Sequence, residues 1–159
     1  MNSSKNIDCY IIPQYQIPIL MPEAAVVEHI GYPDLDPNLV RTTPWILGYF
    51  NWREIVIPLI SMEHFGSEDF DTKIHRRGRR RVVVGHVLNS DLGTPFMGIL
   101  SHGTPWKTQA NKTNLSELEQ LDSQLPFIGK MRIRATEVIV PDLERIGEMV
   151  SMNNNPGVN

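Results

Sequence analysis

Half of the arginines in this 159-residue chain stand in one run, His75-Arg76-Arg77-Gly78-Arg79-Arg80-Arg81. Such a run can neutralise phosphates, each contact adding salt-sensitive affinity. It can equally be a solvated segment balanced by the acidic stretch Glu68-Asp69-Phe70-Asp71 just before it, or a dock for an acidic partner. No aromatic residues interleave with the arginines, so nothing offers stacked bases a platform, and the solvated or acidic-partner reading is preferred. The five histidines (His29, His64, His75, His86 and His102) are scattered and form no His-x-x-x-His pair; the one cysteine, Cys9, has no partner. A metal site would need tertiary convergence that the spacing does not support. Ser101-His102-Gly103 lacks the Gly-x-Ser-x-Gly frame of a nucleophile elbow. Neither Gly98 nor Gly103 is followed by the Gly-Lys-Ser/Thr of a phosphate loop. No constellation here points to catalysis.

The densest signal runs from Pro44 to Leu59. Ile46 to Phe50 is apolar and aromatic, and Ile55 to Ile60 is largely β-branched; both suit half-buried strands. Asn51 is read as the turn residue between them, because its amide bonds nearby backbone and tolerates left-handed φ. Pro58 lacks the N–H of a central ladder, which places it at an edge or a bend. Arg53 can reach outward to a carboxylate or lie over Trp52. Trp52 is either an exposed hot-spot residue beside an arginine or a ring packed across the hairpin. Trp45 and Trp106 read as core or interface anchors.

The remaining elements must position this hairpin. A net charge of -3 excludes a general polyanion binder. No apolar run reaches the roughly 18 residues of a membrane span. The polar N-terminus and the lone cysteine lead to the cytoplasm as the expected compartment and argue against membrane insertion. Cys9 to Gln14 and Ile17 to Met21 read as a strand pair. Pro22-Glu23 opens a short helix to about Ile30, with Val26, Val27 and Ile30 on one face and Gly31 ending it. Tyr32 to Thr43 is a loop, and Ser61 to Phe65 a short helical turn. Arg80 to Leu88 and Pro95 to Ser101 form a second hairpin around Ser90 to Thr94. His102 to Asn114 is irregular, and Leu115, Leu118 and Leu121 are spaced as on a helix. Lys130 to Arg134 alternates at period two, Glu137 to Val140 returns, and Pro141-Asp142 starts a closing helix through about Met149. The expected organisation is a flexible 1–8, one domain over 9–150 made of two lobes with a connector near 66–79, and an unordered tail over 151–159. Several short hairpins with brief helices make a mainly β protein of small barrels.

The pattern Gly48-x-x-Asn51-x-Arg53-x-x-x-x-Pro58-Leu59 resembles the CheW family of chemotaxis coupling proteins. Glu54 stands where that family usually has glycine. Tyr10 to Ile30, with Val26-Val27-Glu28 as a Val-x-Glu core, is similar to the family's opening. Val82 to Leu100 with Gly98, Phe127-Ile128-Gly129 and Val138 to Leu143 match its later strands. Ser101-His102 replaces a common Val-Asp pair, and Trp106 to Leu121 carries no family signal. The resemblance implies two intertwined five-stranded SH3-like β-barrels with short helices and no enzymatic activity or cofactor. It implies partners in methyl-accepting chemotaxis receptors, a CheA-type histidine kinase and other CheW-like proteins. The looser second half resembles the members attached to type IV pilus systems, such as ChpC and PilI, whose output is twitching motility.

By the same resemblance Arg53 supplies a charged partner contact, Asn51 holds the turn, and Gly48 allows close backbone approach. Trp52 belongs to that surface. Val26, Val27 and Ile30, otherwise plain core, would line a groove for a receptor helix tip, with Glu28 as a rim charge. The alternative function is a nucleic-acid-binding small barrel using Arg76 to Arg81. It requires steep loss of RNA or DNA binding as salt rises in a filter-binding series; a flat response eliminates it.

Overall fold

Strands dominate because the apolar residues come in short β-branched and aromatic runs broken by proline, glycine and asparagine. The computed structural model describes residues 5–65, 79–88 and 95–158. In chain order the strands are β1 (Ile7–Ile12), β2 (Ile19–Pro22), β3 (Val26–Gly31), β4 (Leu39–Val40), β5 (Ile46–Trp52), β6 (Ile55–Ile60), β7 (Arg81–His86), β8 (Phe96–Ser101), β9 (Trp106–Ala110), β10 (Leu115–Glu119), β11 (Phe127–Ile133) and β12 (Thr136–Pro141). Helix α1 (Leu143–Asn153) and β13 (Gly157–Val158) close the chain.

Two sheets carry the fold. One has six strands in the order β10-β11-β12-β2-β1-β9, and the other has five in the order β3-β7-β8-β6-β5. The chain begins in the first sheet, crosses at a single 3-10 turn (Glu23–Ala25) into the second, and returns after β8. Two parallel contacts result, Ile139 beside Ile19 and Leu59–Ile60 beside Gly98–Ile99. Each sheet curls around its own apolar interior: Phe50, Trp52, Ile57, Leu59, Val82 and Leu100 in one, and Cys9, Ile11, Leu20, Ile133 and Val138 in the other. A larger core lies between them, where Ile12, Met21, Trp45, Tyr49 and Ile99 meet Ile146 and Val150 of α1. The mainly β class and the two-barrel expectation hold, with a sixth strand on one sheet.

Several expected elements are different. The predicted helix over 22–30 is the 3-10 turn followed by β3, which pairs with β7, so Val26, Val27 and Ile30 lie on a strand. A register shift between Val26 and Glu28 inserts Val27 as a bulge, and the bulge lengthens the strand's apolar spacing until it mimics a helix. The predicted helix at Leu115 is β10, again with a shift between Glu117 and Glu119. The expected irregular stretch after His102 contains β9. The connector near 66–79 was expected between lobes. It instead separates β6 from β7, two strands of one sheet; residues 66–78, the acidic stretch and the Ser90 to Thr94 turn lie outside the described residues. The tail expected to be unordered continues α1 to Asn153, and Gly157 and Val158 pair with Val40 and Leu39.

The closing helix and the helical turn at Met62–His64 follow the sequence. Asp142 caps α1 by accepting from Arg145 N at 3.2 Å. Arg145 in turn donates to the carbonyls of Ser123, Gln124 and Leu125 at 2.7, 2.7 and 3.0 Å, holding the loop before β11 against the helix.

Gly98 shows how tightly the five-stranded barrel is filled. A Cβ there would lie 2.7 Å from Phe50 Cε1 and 2.9 Å from Val82 Cγ1, whereas one at Gly31 would meet nothing within 4 Å. Gly98→Ala is expected to destabilise by about 1–3 kcal/mol. Gly31→Ala should be near neutral in the same urea-unfolding series.

Candidate functional site

The β5–β6 hairpin closes through a two-residue turn, Arg53-Glu54, with Trp52 opposite Ile55. Both turn residues have left-handed φ, 48° at Arg53 and 67° at Glu54. A tight hairpin needs that handedness at both positions to match strand twist. A non-glycine residue there costs on the order of 1–2 kcal/mol. Asn51, expected as the turn residue, is therefore still in β5, facing solvent opposite Val56. Pro58 is not on an outer strand. It lies on β6, between β5 and β8, one residue before the parallel pairing with β8 begins at Leu59, so no ladder bond to β8 is lost.

Three predicted site residues converge. Trp52 Nε1 donates to Glu28 Oε1 at 2.7 Å, and Arg53 Nη2 lies 3.4 Å from Glu28 Oε2. The Arg53 guanidinium sits 4.6 Å above the Trp52 ring, and that ring meets Phe96 edge-on with centroids 4.9 Å apart. Glu28 is thus a shared acceptor rather than a detached rim charge. Trp52 is only 6% exposed, which decides for the packed ring. The Arg53 side chain is 62% exposed and projects from this base. Exposed Asn51, Ile55 and Val56 flank it, so a cation stands beside a small apolar strip. Such a mixture suits a protein interface.

The other predicted residues sit apart. Gly48 is buried, and a Cβ there would lie 2.9 Å from Leu35 Cδ1, so the close approach it allows is by its own chain. Val26 packs on the central core, and Val27 and Ile30 pack on the barrel interior, all half-buried. From the arginine run, Arg80 stacks over Tyr32 at 4.1 Å and Arg81 Nε donates to His29 Nδ1 at 3.3 Å. Both are engaged by their own chain. Residues 76–78 are outside the described set. Among the described residues no three His, Cys, Asp or Glu side chains converge as metal ligands. Burial, reinforced by Asp8, pushes the Cys9 thiol up, which makes it a core residue rather than a nucleophile. No described helix is long and apolar enough to cross a membrane.

No protein-family model matches the chain, and no curated protein does. Among solved structures it is similar to the crystal structure of the scaffolding protein TtCheW from Thermoanaerobacter tengcongensis, with a TM-score of 0.66 over 89% of this chain and 88% of that one. The fold is CheW-like. Sequence identity over that match is 14%, so the likeness is one of architecture.

Within this CheW-like frame, the Ser101-His102 departure has a structural role that the sequence did not reveal. Glu63, in the helical turn Met62–His64 that follows β6, accepts from the backbone amides of Tyr15 at 2.8 Å and Gln16 at 3.2 Å. His102 Nε2 lies 3.4 Å from Glu63 Oε1, both side chains being about nine-tenths buried. His102 N donates to Pro13 O at 2.9 Å, and Gln14 Nε2 donates to Leu100 O at 2.8 Å. The β1–β2 loop of one sheet is thereby stapled to β6 and β8 of the other. The only sequence signal was the displaced Val-Asp pair; nothing local marked Glu63.

Burial works to raise the Glu63 pKa. Hydrogen bonds from His102, Tyr15 and Gln16, with the His102 charge, outweigh it and hold the carboxyl below its ordinary value. A depressed folded pKa contributes stability that is present above the unfolded value and lost as pH falls through the folded one. Wild-type protein should therefore weaken on acidification below about pH 4. Glu63→Gln should be less stable at neutral pH, with a shallower acid limb in urea unfolding across pH. An unchanged acid slope would remove Glu63 from the staple.

Proposed function

We propose that this protein is a non-enzymatic signalling adaptor that couples methyl-accepting chemotaxis receptors to a CheA-type histidine kinase in the cytoplasm. The observation that carries the proposal is Arg53, a mostly exposed cation held on a buried Trp52 by Glu28, within a fold shared with a scaffolding protein. A bound guanidinium loses less freedom on meeting a partner carboxylate than a free one, which favours binding without raising intrinsic contact energy. The mechanism is geometric. Two small barrels locked by a common core present separate surfaces at a fixed angle, and partners on those surfaces inherit that angle. Within this reading, the looser second half favours the branch attached to type IV pilus systems, with twitching motility as output and other CheW-like proteins as neighbours in the array.

Arg53→Ala and Arg53→Glu should retain the wild-type circular dichroism spectrum, because the side chain is exposed and the pairing weak. In pull-downs with purified receptor signalling domain and kinase, Arg53→Glu should weaken capture of at least one partner about tenfold, or roughly 1.4 kcal/mol. Wild-type capture of both partners by the variant would show that Arg53 is not a contact.

A further inference from the structure

The stretch of the chain with no family pattern builds β9 and β10, the two outer strands of the six-stranded sheet. They leave one short turn and share no ladder. At the turn the gap is laced shut: Asn114 Nδ2 donates to Gln109 O at 2.8 Å, and Asn111 N donates to Asn114 Oδ1 at 2.8 Å. Beyond it, β10 pairs with β11 along one edge, and its other edge faces no described strand.

The hydrogen-bond phase of that edge can be read. Arg134 N donates to Asn114 O at 2.9 Å, so Asn114 and then Ser116 bond toward β11, and Leu115 and Glu117 turn their peptide groups the other way. Leu115 N donates to Asn111 O at 3.1 Å, as that phase requires. Glu117 therefore presents an N–H and a C=O to the open side. Beside it, the bulge leaves Leu118 38% exposed, and Glu119 is 57% exposed although Lys130 lies 3.6 Å away.

Charged side chains on an outer strand discourage like strands from adding to it. Pairing with a second copy would set Glu117 and Glu119 against the same carboxylates, which is unfavourable. A basic extended segment meets the opposite situation, gaining main-chain bonds from the edge and charge complementarity from the two glutamates. We propose that the free edge of β10 docks an extended basic segment of a partner protein, which adds to the six-stranded sheet as a further strand with Leu118 as its apolar contact.

The test is titration of a short peptide of alternating lysine and valine into isotope-labelled protein. The largest amide shifts and the slowed hydrogen exchange should fall at residues 115–119. Glu117→Lys with Glu119→Lys should weaken binding about tenfold or more while leaving the circular dichroism spectrum unchanged. The milder Glu117→Gln, Glu119→Gln pair should move affinity in the same direction, and an alternating glutamate–valine peptide should not bind. The proposal is overturned by absence of binding, by equal binding to wild type and both variants, or by shifts centred elsewhere. It is also overturned by protection of residues 115–119 that grows with protein concentration alone, which would make the occupant a second copy.

Discussion

One carboxylate joins the two ends of the five-stranded sheet. Glu28 belongs to β3 and Trp52 to β5, the outermost strands, and no ladder connects them. The indole N–H of Trp52 is buried, and with its acceptor removed the orphaned donor would cost about 1–3 kcal/mol. Glu28 satisfies that donor with one oxygen and steadies Arg53 with the other. The same contact thus closes the barrel, seals its aromatic interior and sets the direction of the exposed cation. The exposed ion pair adds little by itself, since solvent-facing pairs are commonly worth less than about 1 kcal/mol. Its importance is orientational.

A second constraint comes from the path of the chain. The opening hairpin lies in the same sheet as β9 to β12, and the strands between them, apart from the short β4 that pairs with β13, build the other sheet. Neither sheet is complete as a continuous piece of sequence, so the two barrels are tied by covalent crossings as well as by the shared core. The Glu63 staple adds a polar fastening at the same junction: the carboxyl, held by His102 from its own side, accepts from the Tyr15 and Gln16 amides of the β1–β2 loop across it. Such a junction resists bending between the two sheets.

Much of this was legible in the residues. The pairing of β5 with β6 and of β11 with β12, the helical turn after Ser61 and the capped closing helix all follow from alternation, strand propensity and Asp142. The failures share a cause. In β3 and in β10 a bulge inserts one residue, so the apolar spacing drifts from two toward three, and Val27–Ile30 and Leu115–Leu118 imitate a helix face. Asn51 was favoured for the turn by propensity, but pairing of Trp52 with Ile55 placed the left-handed positions at Arg53 and Glu54. At the site, Arg53 was legible as an outward charge. The joint use of Glu28 by Trp52 and Arg53 was not, because it depends on two strands distant in sequence meeting at a closure.

The crossing path also governs how the protein comes off the ribosome. β1 and β2 are made well before their sheet neighbours β9 and β12, and Ile19 must wait for Ile139. Contacts of such long sequence separation slow folding, because loop closure precedes the reward of pairing. The nascent β1–β2 hairpin, with Ile11, Ile12, Leu20 and Met21 still uncovered, spends the synthesis of β3 to β8 without the sheet that will bury it. That interval leaves apolar surface open to misassociation, which makes the opening hairpin the segment most in need of shielding while the chain is made.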